Sequence, residues 1–546
     1  MDSRLINWLL PLMAIVATFS GITEAHSAAR FNGTQLELES MDVNNSLQVT
    51  GPNFRNAFPK NYNQQREFLI EQEELKATGG HLKLSAQELK VHEIFMKQKT
   101  PEMSGGFEDI EKHAAGMHFF QAKHLIEKSK VFQFLKEMPK GAILHMHNSA
   151  SVSSEWVVNT LTHMPGMMSC NTADGVLILT FHKDAKKHEC KTAYKLLSEE
   201  RAKAKSVKEF DNELEKHINL FTKNPEIVHN TITKVWKKFE HMFDTIGEAL
   251  KYLPAYRAYH KRMLEEMYED KIMYAELRMR FKPIFDQKGE VVSEQQSIQE
   301  LIDVVNEFKK THPDFFGIKV IYATSGIRTL DSIKSEFERF KKWHSVFPEF
   351  VIGFDLVGHE GDKKATLHSA VDVLKDLPKT AKFFFHAGET NWYGTSADLN
   401  ILDAILMNTS RIGHGYALLK HPVMRKAVQD RDIALEVSPL SNQILNLVWD
   451  LRNHPAGFFL SEDVPIVISN DDPGFWGAKG LSYDFYYAIM SFAPSNGGLK
   501  TLKSIVWNSI KYSALNEQEK KKAYEMLTKQ WNTFLEKVQH GKVVKI

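Results

Sequence analysis

The residues of this 546-residue chain that are best suited to chemistry are histidines and carboxylates at the ends of short apolar runs. The first such run, 141–148, reads Gly-Ala-Ile-Leu-His-Met-His-Asn. On an extended strand His145 and His147 point the same way, and two imidazoles on one face can hold a metal ion. With 24 histidines in the chain, a His-x-His pair also arises by chance, so the pair needs support from elsewhere.

Three later strand ends carry residues of the same types: His386, Glu389, His414, Asp471 and Asp472. Each alone is more often a structural residue, and Asp-Asp-Pro at 471–473 is also typical of a turn. Together, however, three imidazoles and a carboxylate that meet where these strands end would form a site for Zn²⁺ with room for a water molecule. Because the remainder of these strands is interpreted as apolar, the joint placement favours a metal site.

Two features that the sequence lacks limit the reactions that this site is predicted to catalyse. The run 353–358, Gly-Phe-Asp-Leu-Val-Gly, offers no lysine at its end to bridge two metals, which favours a single ion. The chain also has no glycine-rich phosphate loop and no dinucleotide fingerprint, so no nucleotide cofactor is indicated. Bound zinc lowers the pKa of water, and metal-assisted hydrolysis is therefore the predicted chemistry.

The elements that must position these residues are eight short apolar runs separated by room for helices. The predicted strands are 142–147, 272–278, 317–323, 351–357, 382–387, 411–415, 433–438 and 465–469. Intervening helices are predicted, for example at 332–347 and 365–374. Repeated βα units predict an α/β fold of the (β/α)₈ TIM-barrel type, with functional groups at the carboxyl ends of the strands. A doubly wound open sheet is the alternative.

Two regions lie outside this repeat. Helices are predicted at 64–76, 86–99 and 107–136, with Ser85-x-x-Glu88 as a capping box, after a polar arm that begins at residue 26. More than a hundred residues separate the first two strands, which predicts an inserted module at 153–224. This module contains both cysteines and a charged, helix-like run at 198–216.

The amino-acid composition limits the kinds of partner that the protein is expected to bind. Lys plus Arg (69) balances Asp plus Glu (68), and 43% of residues are hydrophobic, so neither nucleic acid nor an anionic membrane surface is an expected partner.

Residues 1–25 resemble a secretory signal peptide, with an uncleaved anchor as the alternative, and no later run is long enough to span a membrane. Secretion predicts a disulfide between the two cysteines rather than two free thiols, and glycosylation at three sequons. These residues are Cys170, Cys190, Asn32, Asn44 and Asn408.

Five segments resemble those of adenosine deaminases: 353–360, 385–390, 411–415, 438–443 and 471–473. The N-terminal leader, the helical region after it and the cysteine-bearing insertion are similar to the secreted branch of that family, the adenosine deaminase-related growth factors. The resemblance covers essentially the whole mature chain. It implies hydrolytic deamination of adenosine and deoxyadenosine, with release of ammonia and one Zn²⁺ per subunit.

The resemblance also implies a role for each matching residue. The zinc ligands would be His145, His147, His386 and Asp471. Glu389 would protonate the purine ring nitrogen beside the attacked carbon, and His414 would orient and deprotonate the attacking water. Contacts to substrate would come from Asn148, Trp236, Glu240, His241, Gly358 and Asp472. Judged by helical periodicity alone, Trp236 would be a core residue.

The same resemblance divides the chain and implies partners. Residues 26–135 would form an arm and a helical dimerisation segment, 136–546 the deaminase barrel, and 153–224 a receptor-binding module within it. A homodimer is expected, together with a cell-surface receptor or glycosaminoglycan as partner of the insertion. The lysines in that insertion form at most a weak patch for polyanions, namely Lys183, Lys186 and Lys187.

Two departures from the family pattern leave alternatives open. Asn148 stands where family members carry aspartate, so an oxygen acceptor is kept but its charge is lost, at about 1 kcal/mol. The loop 322–328 lacks an expected histidine beside its arginine. These departures motivate a second hypothesis, a growth-factor-like ligand with weak or lost deaminase activity. Another aminopurine nucleoside as substrate is a third.

Overall fold

The structure, a computed structural model, describes residues 61–181, 190–325, 329–360 and 366–543. Residues 1–65 and 66–546 form separate units, and the barrel lies within the second. Several predictions lie outside the described residues: the signal peptide, Asn32, Asn44, Lys183, Lys186, Lys187 and Arg328. Among the described helices, none has the length and apolar character required to cross a membrane.

Eight parallel strands form the predicted barrel. They are β1 (Gly141–His147), β2 (Ile272–Met279), β3 (Gly317–Ser325), β4 (Val351–Val357), β5 (Lys382–Phe383 and His386–Ala387), β6 (Arg411–His414), β7 (Ala434–Val437) and β8 (Ile466–Ile468). Each strand pairs with its neighbour in chain order, through β5, which is in two pieces. A parallel bridge between Met146 and Asp471 joins the first strand to the segment after the last. This closure confirms the barrel and excludes the open sheet.

β5 differs from its prediction because it is interrupted. The pattern predicts one strand over 382–387, whereas Phe384 and Phe385 separate two short pieces. The carbonyl of Phe384 accepts a hydrogen bond from Arg278 Nη2 at 3.2 Å, a side chain inside the barrel. A polar interior contact therefore takes a carbonyl that a regular ladder would use.

Helices surround the barrel and precede it. The α-helices are Tyr62–Lys76, Ala86–Glu108, Phe119–Ile126, Lys130–Glu137, Ser154–Asn159, Leu197–Lys203, Val207–Glu215, Pro225–Val228, Ile232–Gly247, Leu253–Glu269, Glu294–Thr311, Leu330–Val346, Leu367–Leu374, Asn400–Leu406, Pro422–Asp430, Pro439–Ile444, Ala456–Ser461, Ser482–Tyr487, Leu499–Lys511 and Glu517–Gln539. The capping box predicted at Ser85 and Glu88 is confirmed.

The N-terminal helical region departs from its predicted boundaries. The helix predicted to end at 99 continues through Pro101 to Glu108, and the single helix predicted over 107–136 is broken into several short ones. The breaks follow local caps: the side chains of His118 and Ser129 accept hydrogen bonds from Phe120 N and Phe132 N. Such caps satisfy the free N–H groups of a new helix and favour a fresh start there.

The insertion after β1 contains a small antiparallel sheet of Met168–Asn171, Leu177–Thr180 and Lys195–Leu196. Cys170 and Cys190 form the predicted disulfide, with their Cα atoms 5.9 Å apart. The charged run 198–216 is two helices rather than one, because Ser206 caps a new helix at Val207. Buried Arg201 donates to Asp211 at 2.7 Å and ties the two helices together.

Candidate active site

Four potential metal ligands converge at the carboxyl ends of β1, β5 and β8. His145, His147, His386 and Asp471 each offer one ligand atom, and these atoms lie within 4.8 Å of one another. Asp471 Oδ1 is 3.2 Å from His145 Nε2 and 3.1 Å from His147 Nε2. The convergence predicted from the sequence is therefore present, and we call these residues the four-residue cluster.

Carboxylates behind the cluster set the direction of two imidazoles. His145 Nδ1 lies 2.8 Å from Glu436 Oε2, and His386 Nδ1 lies 2.7 Å from Asp355 Oδ2. The pKa of each carboxyl is lowered, although burial opposes ionisation, because Arg278 and the bonded imidazole stabilise the carboxylate. An ionised carboxylate only accepts, so each Nδ1 donates and each Nε2 turns its lone pair toward the cluster.

The donor set fits a divalent metal. His145 Nε2 and Asp471 Oδ1 are buried and have no hydrogen-bond partner among the described residues. Burial lowers the pKa of His386 to about 4, which keeps that imidazole neutral and able to ligate. Three imidazole nitrogens and one carboxylate oxygen are ligands that Zn²⁺ accepts. Unpartnered buried polar atoms are costly, and a cation shared among them would satisfy them.

The barrel interior below the cluster is charged, and one of its residues, Arg411 on β6, corrects the prediction that the strands ending in candidate site residues are otherwise apolar. Five side chains, none more than 1% exposed, form one network: Glu276, Arg278, Asp355, Arg411 and Glu436. Arg278 pairs with Asp355 at 2.7 Å and with Glu436 at 2.6 Å. Arg411 pairs with Glu276 and with Glu436, each at 2.6 Å. In the sequence, the signal for this network was the presence of charged residues within otherwise apolar strands.

Glu389 and His414, the predicted catalytic pair, lie beside the cluster. His414 Nε2 is 3.7 Å from Glu389 Oε1 and 3.9 Å from Asp471 Oδ2. Burial, followed by the charge of Asp471, raises the pKa of Glu389 well above its ordinary value. Glu360 holds the backbone in place by accepting from Gly388 N and Glu389 N at 2.9 and 3.0 Å. No role for Glu360 was predicted from the sequence.

Two residues of the site adopt a left-handed backbone that is unusual outside glycine. His414 has φ of 61° and Asp471 has φ of 59°. Such a conformation costs roughly 1–2 kcal/mol per residue. Strain of this kind collects at functional sites, where the surrounding structure enforces it.

A cavity of about 520 Å³ opens in front of the cluster. Of the predicted substrate contacts, five line it: Asn148, Trp236, Glu240, Gly358 and Asp472. This volume is in the range of small-molecule sites. Burial, with the charge of Asp471, raises the pKa of Asp472 well above its ordinary value. Gly358 has φ of 132°, a conformation open to glycine but strained for other residues.

Helix Ile232–Gly247 forms the opposite wall of the cavity. Trp236, Phe239, Glu240 and Phe243 face it, as the helical period requires for residues three or four apart. His241 is not among the lining residues, so its predicted contact with substrate is not supported by the geometry. Trp236 is only 6% exposed, so it is buried as periodicity indicates and also lines the cavity.

Further contacts around the cavity were not foreseen. The ring of Trp236 stacks on that of His359, with centroids 4.4 Å apart and planes 16° apart. The side chain of Asn148 lies 2.8 Å from Nε2 of His260, a fully buried histidine on helix Leu253–Glu269. In the altered loop, Thr324 lines the cavity. Elsewhere, Asn408 is exposed, as glycosylation requires.

Comparison with known proteins places this site in context. The family model "Adenosine deaminase" matches residues 213–530, and "Adenosine/AMP deaminase N-terminal" matches 47–135. Human adenosine deaminase 2 is 42% identical over 475 residues, which cover 86% of this chain and 92% of the relative. Adenosine deaminase of Lutzomyia longipalpis is 38% identical over 87% of this chain and 93% of the relative.

A solved structure supports the fold independently. Adenine deaminase from Arthrobacter aurescens superposes with a TM-score of 0.51 at 15% identity. The match covers 72% of this chain and 99% of that one. At this identity the likeness shows the barrel fold alone.

Proposed function

This chain belongs to the adenosine deaminase family, and from that premise we propose that it is a secreted, zinc-dependent enzyme that deaminates adenosine and deoxyadenosine. The products would be inosine and deoxyinosine, with release of ammonia. The observation that carries the proposal is the convergence of the four-residue cluster with Glu389 and His414 at one cavity.

The cluster would hold one Zn²⁺ per subunit, through His145, His147, His386 and Asp471. Bound zinc supplies Lewis-acid activation of a water molecule at neutral pH. Glu436 and Asp355 keep two of the imidazoles oriented for this task, at 2.8 and 2.7 Å. Ser441 donates to Asp471 Oδ2 at 2.7 Å and fixes the carboxylate.

Glu389 would supply the proton that makes the purine ring electrophilic. Burial raises the pKa of Glu389 well above its ordinary value, which favours the protonated carboxyl that would donate to the ring nitrogen beside the amino-bearing carbon. The backbone of Gly358 and the side chain of Asp472 would hold the ring, and His414 would face the attacking oxygen. Asn148, Trp236 and Glu240 would contact the nucleoside from the remaining walls.

The variant Glu389→Gln tests the proton-donor role. It keeps the shape of the side chain but cannot complete the proton transfer, so kcat for conversion of adenosine to inosine is expected to fall by roughly 10²–10⁴. Glu213→Gln, an exposed glutamate paired with Lys216, is the matched control and should act as wild type. Zinc-loaded wild type without ammonia release at millimolar adenosine would contradict the proposal.

A second candidate function is a growth-factor-like ligand with weak or lost turnover. It is favoured by Asn148 in place of aspartate and by the disulfide-closed insertion, which we propose as a receptor- or glycosaminoglycan-binding module. A mitogenic assay of Glu389→Ala separates the two. The enzyme hypothesis requires the response to disappear, and the ligand hypothesis requires it to persist.

We also propose a homodimer formed through the N-terminal helices. Support comes from large apolar side chains exposed there, including Phe107 at 95%, Leu69 at 50% and Ile110 at 50%. Exposed apolar surface of this kind is typical of interfaces. Analytical ultracentrifugation of wild type and Phe107→Ser would test it. If both proteins had the sedimentation coefficient of a monomer, the proposed dimer would be refuted.

Secretion and glycosylation complete the proposal. Residues 1–25 would be removed as a signal peptide, and Asn408 would carry a glycan because its side chain is exposed. Expression in a eukaryotic secretory host, followed by N-terminal sequencing and glycosidase treatment, tests both. Protein that is retained in the cell with an intact leader would contradict the proposal.

A further inference from the structure

A line of hydrogen bonds runs from the backbone of Ala456 to the ring of His414. Ala456 N lies 2.9 Å from His454 Nδ1, and His454 Nε2 lies 2.9 Å from Asn442 Oδ1. Asn442 Nδ2 lies 3.2 Å from His414 Nδ1. The three side chains are 5%, 1% and 2% exposed, respectively, in the order His454, Asn442 and His414, so water does not compete for these bonds.

The first bond fixes the direction of the others. A backbone N–H only donates, so His454 Nδ1 accepts and carries no proton. The proton of neutral His454 is then on Nε2, where it is donated to Asn442. The atom of Asn442 that receives it must be the amide oxygen, and the amide nitrogen of Asn442 therefore donates to His414 Nδ1. That nitrogen of His414 is an acceptor and bears no proton.

We infer that Asn442 and His454 lock His414 in the tautomer that carries its proton on Nε2, so that His414 donates a hydrogen bond to the attacking oxygen. This differs from the expectation, drawn from family resemblance, that His414 deprotonates the water. The inference deepens the proposed function and rests on it for its catalytic meaning. Asn442 and His454 act as positioning residues, since both contact the reaction only through His414.

With His414 as a donor, the group that takes the proton of the attacking water is Glu389, whose Oε1 lies 3.7 Å from His414 Nε2. Before it can do so, Glu389 gives its own proton to the ring nitrogen. As the C–O bond forms, an O–H bond of water breaks, and the carboxylate of Glu389 takes that proton. It passes the proton to the amino group, which leaves as ammonia when the C–N bond breaks. The remaining hydroxyl proton returns to Glu389, and the carbonyl of inosine forms.

A neutron crystal structure of deuterated, zinc-loaded wild type tests the tautomer without any assay of activity. Deuterium is expected on Nε2 and absent from Nδ1 in both His414 and His454. Deuterium on Nδ1 of His414 would overturn the inference, whether or not the protein deaminates adenosine. This separates failure of the inference from failure of the proposed function.

Two variants test the consequence for catalysis. His454→Phe removes the donor to Asn442 and frees its amide to turn, so kcat for adenosine is expected to fall by roughly 10–100-fold with KM and zinc content unchanged. His454→Gln can place an N–H near the position of Nε2 and should restore most of kcat. His344→Phe removes another buried histidine that bridges Val351 O and Thr380 Oγ1, and serves as the packing control.

The outcomes are exclusive. A His454→Phe enzyme with the kcat of wild type, or a His454→Gln enzyme as impaired as His454→Phe, would refute the positioning role. If His454→Phe does not fold, His454→Gln and the neutron structure still decide the matter.

Discussion

Replacing Glu436 is the strongest test of how the charged network inside the barrel supports the site. Its Oε2 accepts from His145 Nδ1 at 2.8 Å and from Arg278 Nη2 at 2.6 Å. Its Oε1 accepts from Arg411 Nε at 2.6 Å. Glutamine has the same shape but a single acceptor oxygen, so Glu436→Gln leaves at least one of these donors facing an amide N–H₂.

The expected cost follows from the contacts that remain. If the amide oxygen keeps His145 and Arg278, Arg411 faces the amide nitrogen but retains Glu276 at 2.6 Å. Arg278 likewise retains Asp355 at 2.7 Å. Removing one partner from a buried ion pair costs about 3–5 kcal/mol, and the surviving partners place this variant at the lower end, about 3 kcal/mol. If the amide turns the other way, its oxygen keeps Arg411 instead, and the hydrogen bond that orients His145 is lost, which costs about 10–100-fold in metal affinity.

Two assays measure these effects separately. Urea unfolding gives the change in the free energy of unfolding, and competition with a chromogenic chelator gives zinc affinity. Glu213→Gln, whose side chain is 71% exposed in its pair with Lys216, should leave both unchanged. If Glu436→Gln matched this control in both stability and zinc affinity, the charged network inside the barrel would not support the four-residue cluster.

Three further predictions concern the cavity and its pH dependence. Burial raises the pKa of Glu360 to about 7, so between about pH 4.5 and 7 the native protein holds a proton that the unfolded chain releases. The free energy of unfolding should therefore fall as the pH rises through this window, and Glu360→Gln should remove that slope in urea titrations. Asn148→Asp places a carboxylate beside His260, and burial lowers the pKa of this histidine to about 4. In the variant, NMR titration should show a higher pKa for His260, and kcat/KM for adenosine should increase roughly fivefold. No change in either quantity would contradict the role of Asn148. Trp236→Ala removes the ring stacked on His359 and should raise KM roughly tenfold with little change in kcat, whereas an unchanged KM would assign Trp236 to packing alone.

The barrel and its site were predictable from sequence to different depths. Period and length located all eight strands within a few residues, because a buried parallel strand is a short apolar run bounded by polar residues. His145, His147, His386 and Asp471 were predictable together because strand ends meet at one barrel mouth. The split of β5 was not, since it depends on a hydrogen bond to Arg278 from a distant strand.

The contacts behind the site were beyond sequence reasoning for the same reason. Glu436 and Asp355 orient histidines that lie 291 and 31 residues away in the chain, and no local pattern pairs them. Nothing in the sequence marks His260 or His454 as site residues, because their partners Asn148 and Asn442 are brought to them by tertiary packing. His241, a substrate contact implied by family resemblance, does not line the cavity, and the helical period puts it off the face shared by Trp236 and Phe243.

Above all, we propose that the four-residue cluster holds the zinc on which adenosine deamination depends. The most direct test measures ammonia release and zinc content of the same purified full-length protein, before chelation, after chelation and after zinc is restored. We expect about one zinc per subunit, loss of activity as the zinc is removed and recovery when it returns, with neither zinc nor activity in His147→Ala. Full activity in protein that retains no metal would refute a role for zinc in the reaction.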